Sequence, residues 1–207
     1  MIQVFTDAGP FQTNSYVLDF GEKKVLIDPV IDVDPDLARE VTDILVTHAH
    51  FDHIVRADGW REATGAPLYA HEAAAIRMTE ARENASQTFG FPIVQEAPSH
   101  FLSDGDILDY GKWKIRVIEA PGHAPDCLLY LVLEDDEPKL LITGDVVFRF
   151  DIGRCDLQGS DYQAMLKSLQ RLLDLGKDWP SDLPLYPGHG PSTTWGEEKA
   201  GNPYMQF

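Results

Sequence analysis

Thr47-His48-Ala49-His50-Phe51-Asp52-His53 is the stretch that decides the fold. Three histidines and an aspartate fall within six residues, directly after the short apolar run Asp43-Ile44-Leu45-Val46, which reads as a buried strand. The chain has 7 histidines in 207 residues. Random placement yields this four-residue pattern about once in a thousand such chains, so a metal-ligand motif outweighs coincidence. Three separately buried histidines would need three independent hydrogen-bonding solutions in the same short span. In an extended segment residues i and i+2 point the same way, so His48 and His50 can share one ion. The chain must then turn, and Asp52 and His53 can face a neighbouring ion. Imidazole and carboxylate suit zinc, and also iron or manganese.

Further along the chain, three more candidate ligands follow apolar strands. His123 lies in Ala120-Pro121-Gly122-His123-Ala124-Pro125, a stiff loop after the strand that ends at Glu119. Asp145 lies in Ile142-Thr143-Gly144-Asp145, and His189 in Tyr186-Pro187-Gly188-His189-Gly190-Pro191. A carboxylate has two oxygens and so can bridge two cations. Each of the three is weak alone, since an aspartate after a strand often serves a turn or a cap; the case rests on the set. His71, at the start of an expected helix, and His100, in an expected loop, read as structural or surface residues. Arg154, in the turn Gly153-Arg154-Cys155-Asp156, either faces an anionic substrate or Asp145, or pairs with Asp156 or Asp151.

The remaining pattern is that of one domain over residues 1–207, with no repeat and no linker. Ser15 to Leu18 and Lys24 to Ile27 flank the turn Gly21-Glu22-Lys23 as a hairpin. A short helix runs from Pro35 to Val41 with Asp34 as its cap. Helices are expected over Ile54 to Thr64 and His71 to Asn84, with Leu68-Tyr69 a strand between them. Residues 85–100 lack periodicity; their two prolines, Phe89 and Phe91 suit a loop that covers a cleft or a surface connection packed by its own aromatics. Lys114 to Glu119, Leu128 to Leu133 and Leu140 to Ile142 read as strands, with Glu134 to Pro138 a charged turn. Asp161 to Leu175 is the clearest helix, with Met165, Leu166, Leu169, Leu172 and Leu173 at helical spacing and Gly176 as its stop. Leu185-Tyr186 is a last short strand. Thr193 or Thr194 caps a final helix carrying Glu197 and Glu198.

Hydrophobic residues make up 43% and charged residues 25%, and the formal net charge is −17. That composition suits a soluble protein, and so acidic a surface repels phosphate backbones and anionic lipid. Nucleic acid and membrane are therefore excluded as expected partners, and no apolar run reaches bilayer-spanning length. The segment Met1 to Asp7 has no basic-then-apolar pattern, so no secretory signal is expected. Cys127 and Cys155 form no C-x-x-C pair, which favours a reducing cytoplasm.

Thr47 to His53 matches the T-H-x-H-x-D-H signature of the metallo-β-lactamase superfamily. Pro121-Gly122-His123, Gly144-Asp145 and Pro187-Gly188-His189-Gly190 follow in that family's order. Within it the chain resembles the short glyoxalase II-like (hydroxyacylglutathione hydrolase-like) branch, through Gly153 to Leu157, Gly188 to Thr194, Glu198 and Asn202-Pro203. The resemblance implies an α+β fold: an αββα sandwich of two mixed β-sheets with helices on the outer faces. It implies two divalent metal ions, zinc first and iron or manganese otherwise. His48, His50 and His123 would hold one, Asp52, His53 and His189 the other, and Asp145 would bridge them.

The implied activity is hydrolysis of a small-molecule thioester, such as an S-acylglutathione, by a metal-bridging hydroxide that Asp52 orients. Arg154 is the candidate substrate-binding residue. Longer glyoxalase II enzymes carry a helical extension that helps bind glutathione. This sequence has none, and Asp126 and Cys127 stand where the family often has Gly and Ser or Thr. Three alternatives stay open. One is a persulfide dioxygenase of the same fold, with one iron on His48, His123 and Asp145. Another is hydrolysis of a lactam, lactone or phosphodiester. The third is a catalytically idle metal-binding scaffold, which a complete ligand set argues against.

Overall fold

Apolar runs in the first hundred residues assemble into a mixed sheet rather than a set of isolated hairpins. The computed structural model describes residues 2–207. Its contacts divide the chain into two units, one up to Leu102 and one from Ser103 to Phe207. In order, the first unit holds β1 (Ile2–Thr6), β2 (Asn14–Asp19), β3 (Lys24–Ile27), α1 (Pro35–Ala38) and β4 (Val41–Leu45). It continues with α2 (Phe51–Ile54), α3 (Ala57–Thr64), β5 (Leu68–His71), α4 (Ala74–Thr79) and β6 (His100–Leu102). The strands lie in sequence order across one sheet. β1, β2 and β3 are antiparallel, whereas β3 to β6 run parallel. The expected hairpin is present, with Tyr16 opposite Ile27 and Asp19 opposite Lys24. Asp34 caps α1 by accepting from the amides of Asp36 and Leu37. Val17, Leu26, Ile44, Val46 and Leu68 from the sheet pack with Ile54, Trp60 and Met78 from the helical segments.

Three helices expected from the sequence are shorter than their patterns suggest: α1 stops at Ala38, with Val41 opening β4, and two more follow. The run from Ile54 to Thr64 is broken: α2 ends at Ile54 and α3 begins at Ala57, with Arg56 outside helical geometry and its amide donating to the Pro29 carbonyl. The run from His71 to Asn84 contains only α4. His71 instead ends β5, and its Nδ1 accepts from the Ala73 amide at 3.0 Å. His100 opens β6 opposite Tyr69 and stacks on that ring, 4.9 Å between centroids. A pairing between residues about thirty apart thus overrides local propensity, which periodicity cannot register. Residues 85–99 form no helix or strand, as expected, and residues 80–84, expected to be helical, join them. They are held by side-chain bonds such as Asn84 Nδ2 to the Ile93 carbonyl, 2.9 Å.

The second unit holds β7 (Ile107–Tyr110), β8 (Trp113–Glu119), β9 (Leu128–Glu134), β10 (Glu137–Gly144), β11 (Val147–Phe148) and β12 (Asp151–Ile152). It ends with α5 (Tyr162–Leu175), β13 (Pro184–Pro187), β14 (Thr193–Thr194), α6 (Trp195–Gly201) and a 3₁₀ turn at Pro203–Met205. Its main sheet has the order β14-β13-β10-β9-β8-β7, and β11 pairs with β12 as a separate ribbon. Only β10 and β13 are parallel neighbours in that main sheet. The charged turn tightens to Asp135 and Asp136, both at positive φ, which is the two-residue geometry matched to strand twist. Pro138 lies inside β10, where the register slips between Pro138 and Leu140.

Asp161 caps α5 and Gly176 ends it, as its sequence predicts. Met165, Leu169 and Leu172 of that helix pack with Leu129, Leu131, Leu141, Leu185 and Trp195. Thr194 and Glu197 form a reciprocal capping box at α6. The fold class is therefore α+β with two mixed sheets and accompanying helices, as expected. Among the described residues no helix is long and apolar enough to cross a membrane.

Candidate metal centre

Parallel strands end on the same sheet edge, and in the first unit two such ends lie side by side. Asp28 follows β3 immediately, and Thr47 comes two residues after β4. Asp28 is fully buried at φ +51. Its carboxylate accepts from the Thr47 amide and the Thr47 hydroxyl, both at 2.7 Å, and lies 2.8 Å from His53 Nδ1. That contact fixes the imidazole and directs Nε2 to the opposite side, the usual arrangement behind a ligating histidine. Asp28 did not figure among the sequence candidates. Its signal is an aspartate straight after an apolar strand, but its partners depend on which strand lies alongside.

The motif itself adopts the local shape its spacing suggests. His50 sits on extended backbone, with its Nδ1 3.0 Å from His48 Nε2. The chain then turns at Phe51 into α2, whose N-cap is His50. Asp52 and His53 occupy its first turn, with His53 Nε2 4.0 Å from Asp52 Oδ2. The Thr13 hydroxyl donates to that same Asp52 oxygen at 3.0 Å. His48, His50 and His53 are buried, and the Asp52 side chain is 13% exposed. A cavity of 250 Å³ opens beside Asp52, lined within this unit by residues including Phe11, Phe51, Phe91 and Ile93.

In the second unit β8, β10 and β13 run in one direction, since β9 is antiparallel to both β8 and β10. Their carboxyl ends share an edge, the place where open sheets bind ligands. His123 follows β8, Asp145 follows β10 and His189 follows β13. His123 Nε2 and His189 Nε2 each stand 3.4 Å from one oxygen, Oδ2 of Asp145. A single carboxylate oxygen thus faces both imidazoles. His123 Nδ1 donates to the Arg154 carbonyl at 2.8 Å, which leaves Nε2 as the acceptor nitrogen. Gly153 permits this approach: a Cβ there would meet the Asp145 carbonyl oxygen at 1.9 Å. Behind it, buried Glu198 accepts from the Phe150 amide, the Thr193 hydroxyl and Asn202 Nδ2.

The donor set of this unit suits a divalent ion. Separations of 3.4 Å exceed ordinary N–H···O lengths. They match the spacing of about 3.3 Å between two ligands held 2.0–2.1 Å from a tetrahedral zinc. The Arg154 guanidinium lies on Asp156, with Nε 2.5 Å from Oδ1 and Nη2 2.8 Å from Oδ2. This pair raises the arginine pKa and lowers that of Asp156. Arg154, Cys155, Tyr162 and Tyr204 line a second cavity of 300 Å³. Burial pushes the Cys155 thiol pKa up, with Asp156 and Asp161 adding to it. His71 and His100 lie on β5 and β6, and neither belongs to these clusters.

The sequence profile of the metallo-beta-lactamase superfamily matches residues 8–189. A Bacillus subtilis protein named as a probable metallo-hydrolase, YqgX, is 31% identical over 95% of this chain and 94% of its own length. The Haemophilus influenzae hydroxyacylglutathione hydrolase GloC is 29% identical over 94% of this chain and 88% of its own. Among solved structures, that of the BLEG-1 B3 metallo-beta-lactamase superposes with a TM-score of 0.85, at 34% identity over the whole of both chains.

Proposed function

The chain belongs to the metallo-β-lactamase superfamily, and from that premise we propose that it is a metal-dependent hydrolase of acyl thioesters. His48, His50 and His123 would hold one divalent ion, Asp52, His53 and His189 a second, with Asp145 shared between them. Zinc is the first choice for this nitrogen and oxygen donor set. Two ions so held would supply a water of lowered pKa and polarise the substrate carbonyl.

The chain's own residues orient and restrain. Asp52, itself held by the Thr13 hydroxyl, positions the attacking water and takes up its proton at a carboxylate oxygen. Asp28 and the Arg154 carbonyl keep His53 and His123 in the tautomer that offers Nε2. A thiol leaving group needs little acid assistance, because its pKa is about 8.5. Arg154 is proposed to meet an anionic thiol carrier such as glutathione; its pair with Asp156 is solvent-exposed and so open to exchange.

The observation that carries the proposal is the pair of imidazoles on one oxygen of Asp145. The thioester is supported by the likeness to a named hydroxyacylglutathione hydrolase. A lactam is the second reading, favoured by the solved B3 metallo-beta-lactamase. Purified protein should contain two metal ions per chain and hydrolyse S-lactoylglutathione or another S-acylglutathione faster than a β-lactam. A metal-loaded protein that opens β-lactams and leaves every thioester intact overturns the thioester assignment. One iron per chain with oxygen uptake overturns hydrolysis altogether.

A further inference from the structure

The unassigned position between the second histidine and the aspartate of the motif is Phe51, and its side chain lines the cavity that opens beside Asp52. We infer that this cavity is the acyl subsite and that the substrate's acyl group is neutral and apolar, of the size of a phenylacetyl or hexanoyl group. The inference rests on the hydrolase reading above and narrows its substrate class.

Size comes first. The cavity holds 250 Å³, more than the roughly 150 Å³ apolar cavity that accepts benzene. A lactoyl group would leave most of it unfilled. Chemistry comes second. Pro10, Phe11, Val30, Phe51, Phe91 and Ile93 supply an apolar wall. Asp7 and Asp52 also line it, and so does Arg56, whose side chain pairs with Asp32 at 2.9 Å in a solvent-exposed bridge. A charged acyl group, or the carboxylates of a thiol carrier, would lose hydration against so largely apolar a wall, so the neutral half of the substrate belongs here.

The wall is also preorganised. Phe11 meets Phe51 edge-on with ring centroids 4.9 Å apart, and Phe89 braces both from 5.5 and 5.4 Å. Aromatic pairs in this geometry hold one another in place, and a wall already ordered costs little to order on binding. The Phe51 amide bonds to the Asn84 carbonyl, which ties the motif to the segment carrying Phe89 and Phe91. Position relative to the chemistry closes the case. Phe51 and Asp52 are consecutive, so their Cα atoms are about 3.8 Å apart. Both residues also line the cavity, so a group resting on Phe51 lies beside Asp52.

The test uses glutathione thioesters of acetyl, lactoyl, hexanoyl, phenylacetyl and succinyl groups on the metal-loaded protein. A second arm measures binding of neutral phenylacetamide to the metal-free protein by ligand-observed NMR. The expected kcat/KM rises about fourfold per added methylene until the cavity is filled, with hexanoyl and phenylacetyl above lactoyl and succinyl lowest. Phe91→Ala removes a half-exposed wall residue and should cut the phenylacetyl-to-lactoyl ratio about tenfold. The same variant should weaken phenylacetamide binding. A flat series, or a phenylacetyl-to-lactoyl ratio unchanged in Phe91→Ala, overturns the acyl subsite while leaving thioester hydrolysis standing. Failure to hydrolyse any thioester, with phenylacetamide still bound in a Phe91-dependent way, overturns the thioester reading and upholds the apolar site. Absence of phenylacetamide binding overturns the subsite directly.

Discussion

The two units supply candidate ligands in opposite ways. The first gathers four within Thr47 to His53, a strand end that turns at once into α2. The second draws three from the ends of β8, β10 and β13, which share one edge because β10 pairs parallel with β13 and the single strand between β8 and β10 runs the other way. In the first, proximity is written into the chain itself, and folding need only orient the rings. In the second, proximity is a product of the sheet, and one carboxylate, Asp145, is the point to which both histidines are referred. Local clustering thus tolerates variation in the sheet, while the dispersed set depends on a single hub.

The largest effect should come from removing that hub. In Asp145→Ala both 3.4 Å relations end at once, and the proposed centre loses the ligand shared by its two ions. Turnover should fall by more than the 10–100-fold typical of an outer-shell partner. Metal analysis should show fewer than two ions per chain, with an unchanged circular dichroism spectrum. His50→Ala should lose the ion of its own set and retain part of the other. Wild-type activity in metal-reconstituted Asp145→Ala would refute the hub, and equal metal loss in the two variants would erase the contrast.

The units also orient their histidines by different means. A carboxylate side chain, Asp28, holds His53; a backbone carbonyl, that of Arg154, holds His123. The side-chain device can be mutated away and the backbone device cannot. Asp28→Asn removes the charge behind His53 and should lower metal affinity by about 10–100-fold. Arg154→Ala keeps the carbonyl and should leave metal affinity within about twofold of wild type, while raising KM for glutathione thioesters. Competition against a chromogenic chelator measures both affinities. Comparable losses in the two variants would show that the guanidinium, not the carbonyl, supports the centre.

This contrast also explains what the sequence made legible. The 47–53 cluster stands out because chance rarely places so many ligands in so short a span. His123, Asp145 and His189 are readable only as a set, since each has an ordinary alternative role. Asp28 escaped because its function arises from β3 lying parallel to β4, a relation between strands that no short window contains. The same holds for the fold. α5 and the β2–β3 hairpin carry their caps and turns locally. The shortened α4 follows instead from β5 pairing with β6 across the aperiodic residues 80–99.

Both cysteines lie in the second unit, so the comparison also bears on nucleophiles. Cys155 sits two residues after Gly153, close in sequence to the segment that orients His123. Burial, then the charges of Asp156 and Asp161, raise its pKa. The sign is clear: desolvation and negative neighbours both penalise the thiolate, so at neutral pH the thiol stays protonated and is a poor nucleophile. Its alkylation by iodoacetamide should accelerate only at a pH above that of an exposed cysteine. Asp156→Asn should move that midpoint down, because it removes one opposing charge and releases the Arg154 cation that now pairs with it. Cys155→Ser should keep thioester turnover within about twofold of wild type, since the proposed nucleophile is water. A Cys155→Ser protein that retains its metal and loses turnover would transfer the chemistry to the thiol, and the second unit would then contribute a nucleophile as well as ligands.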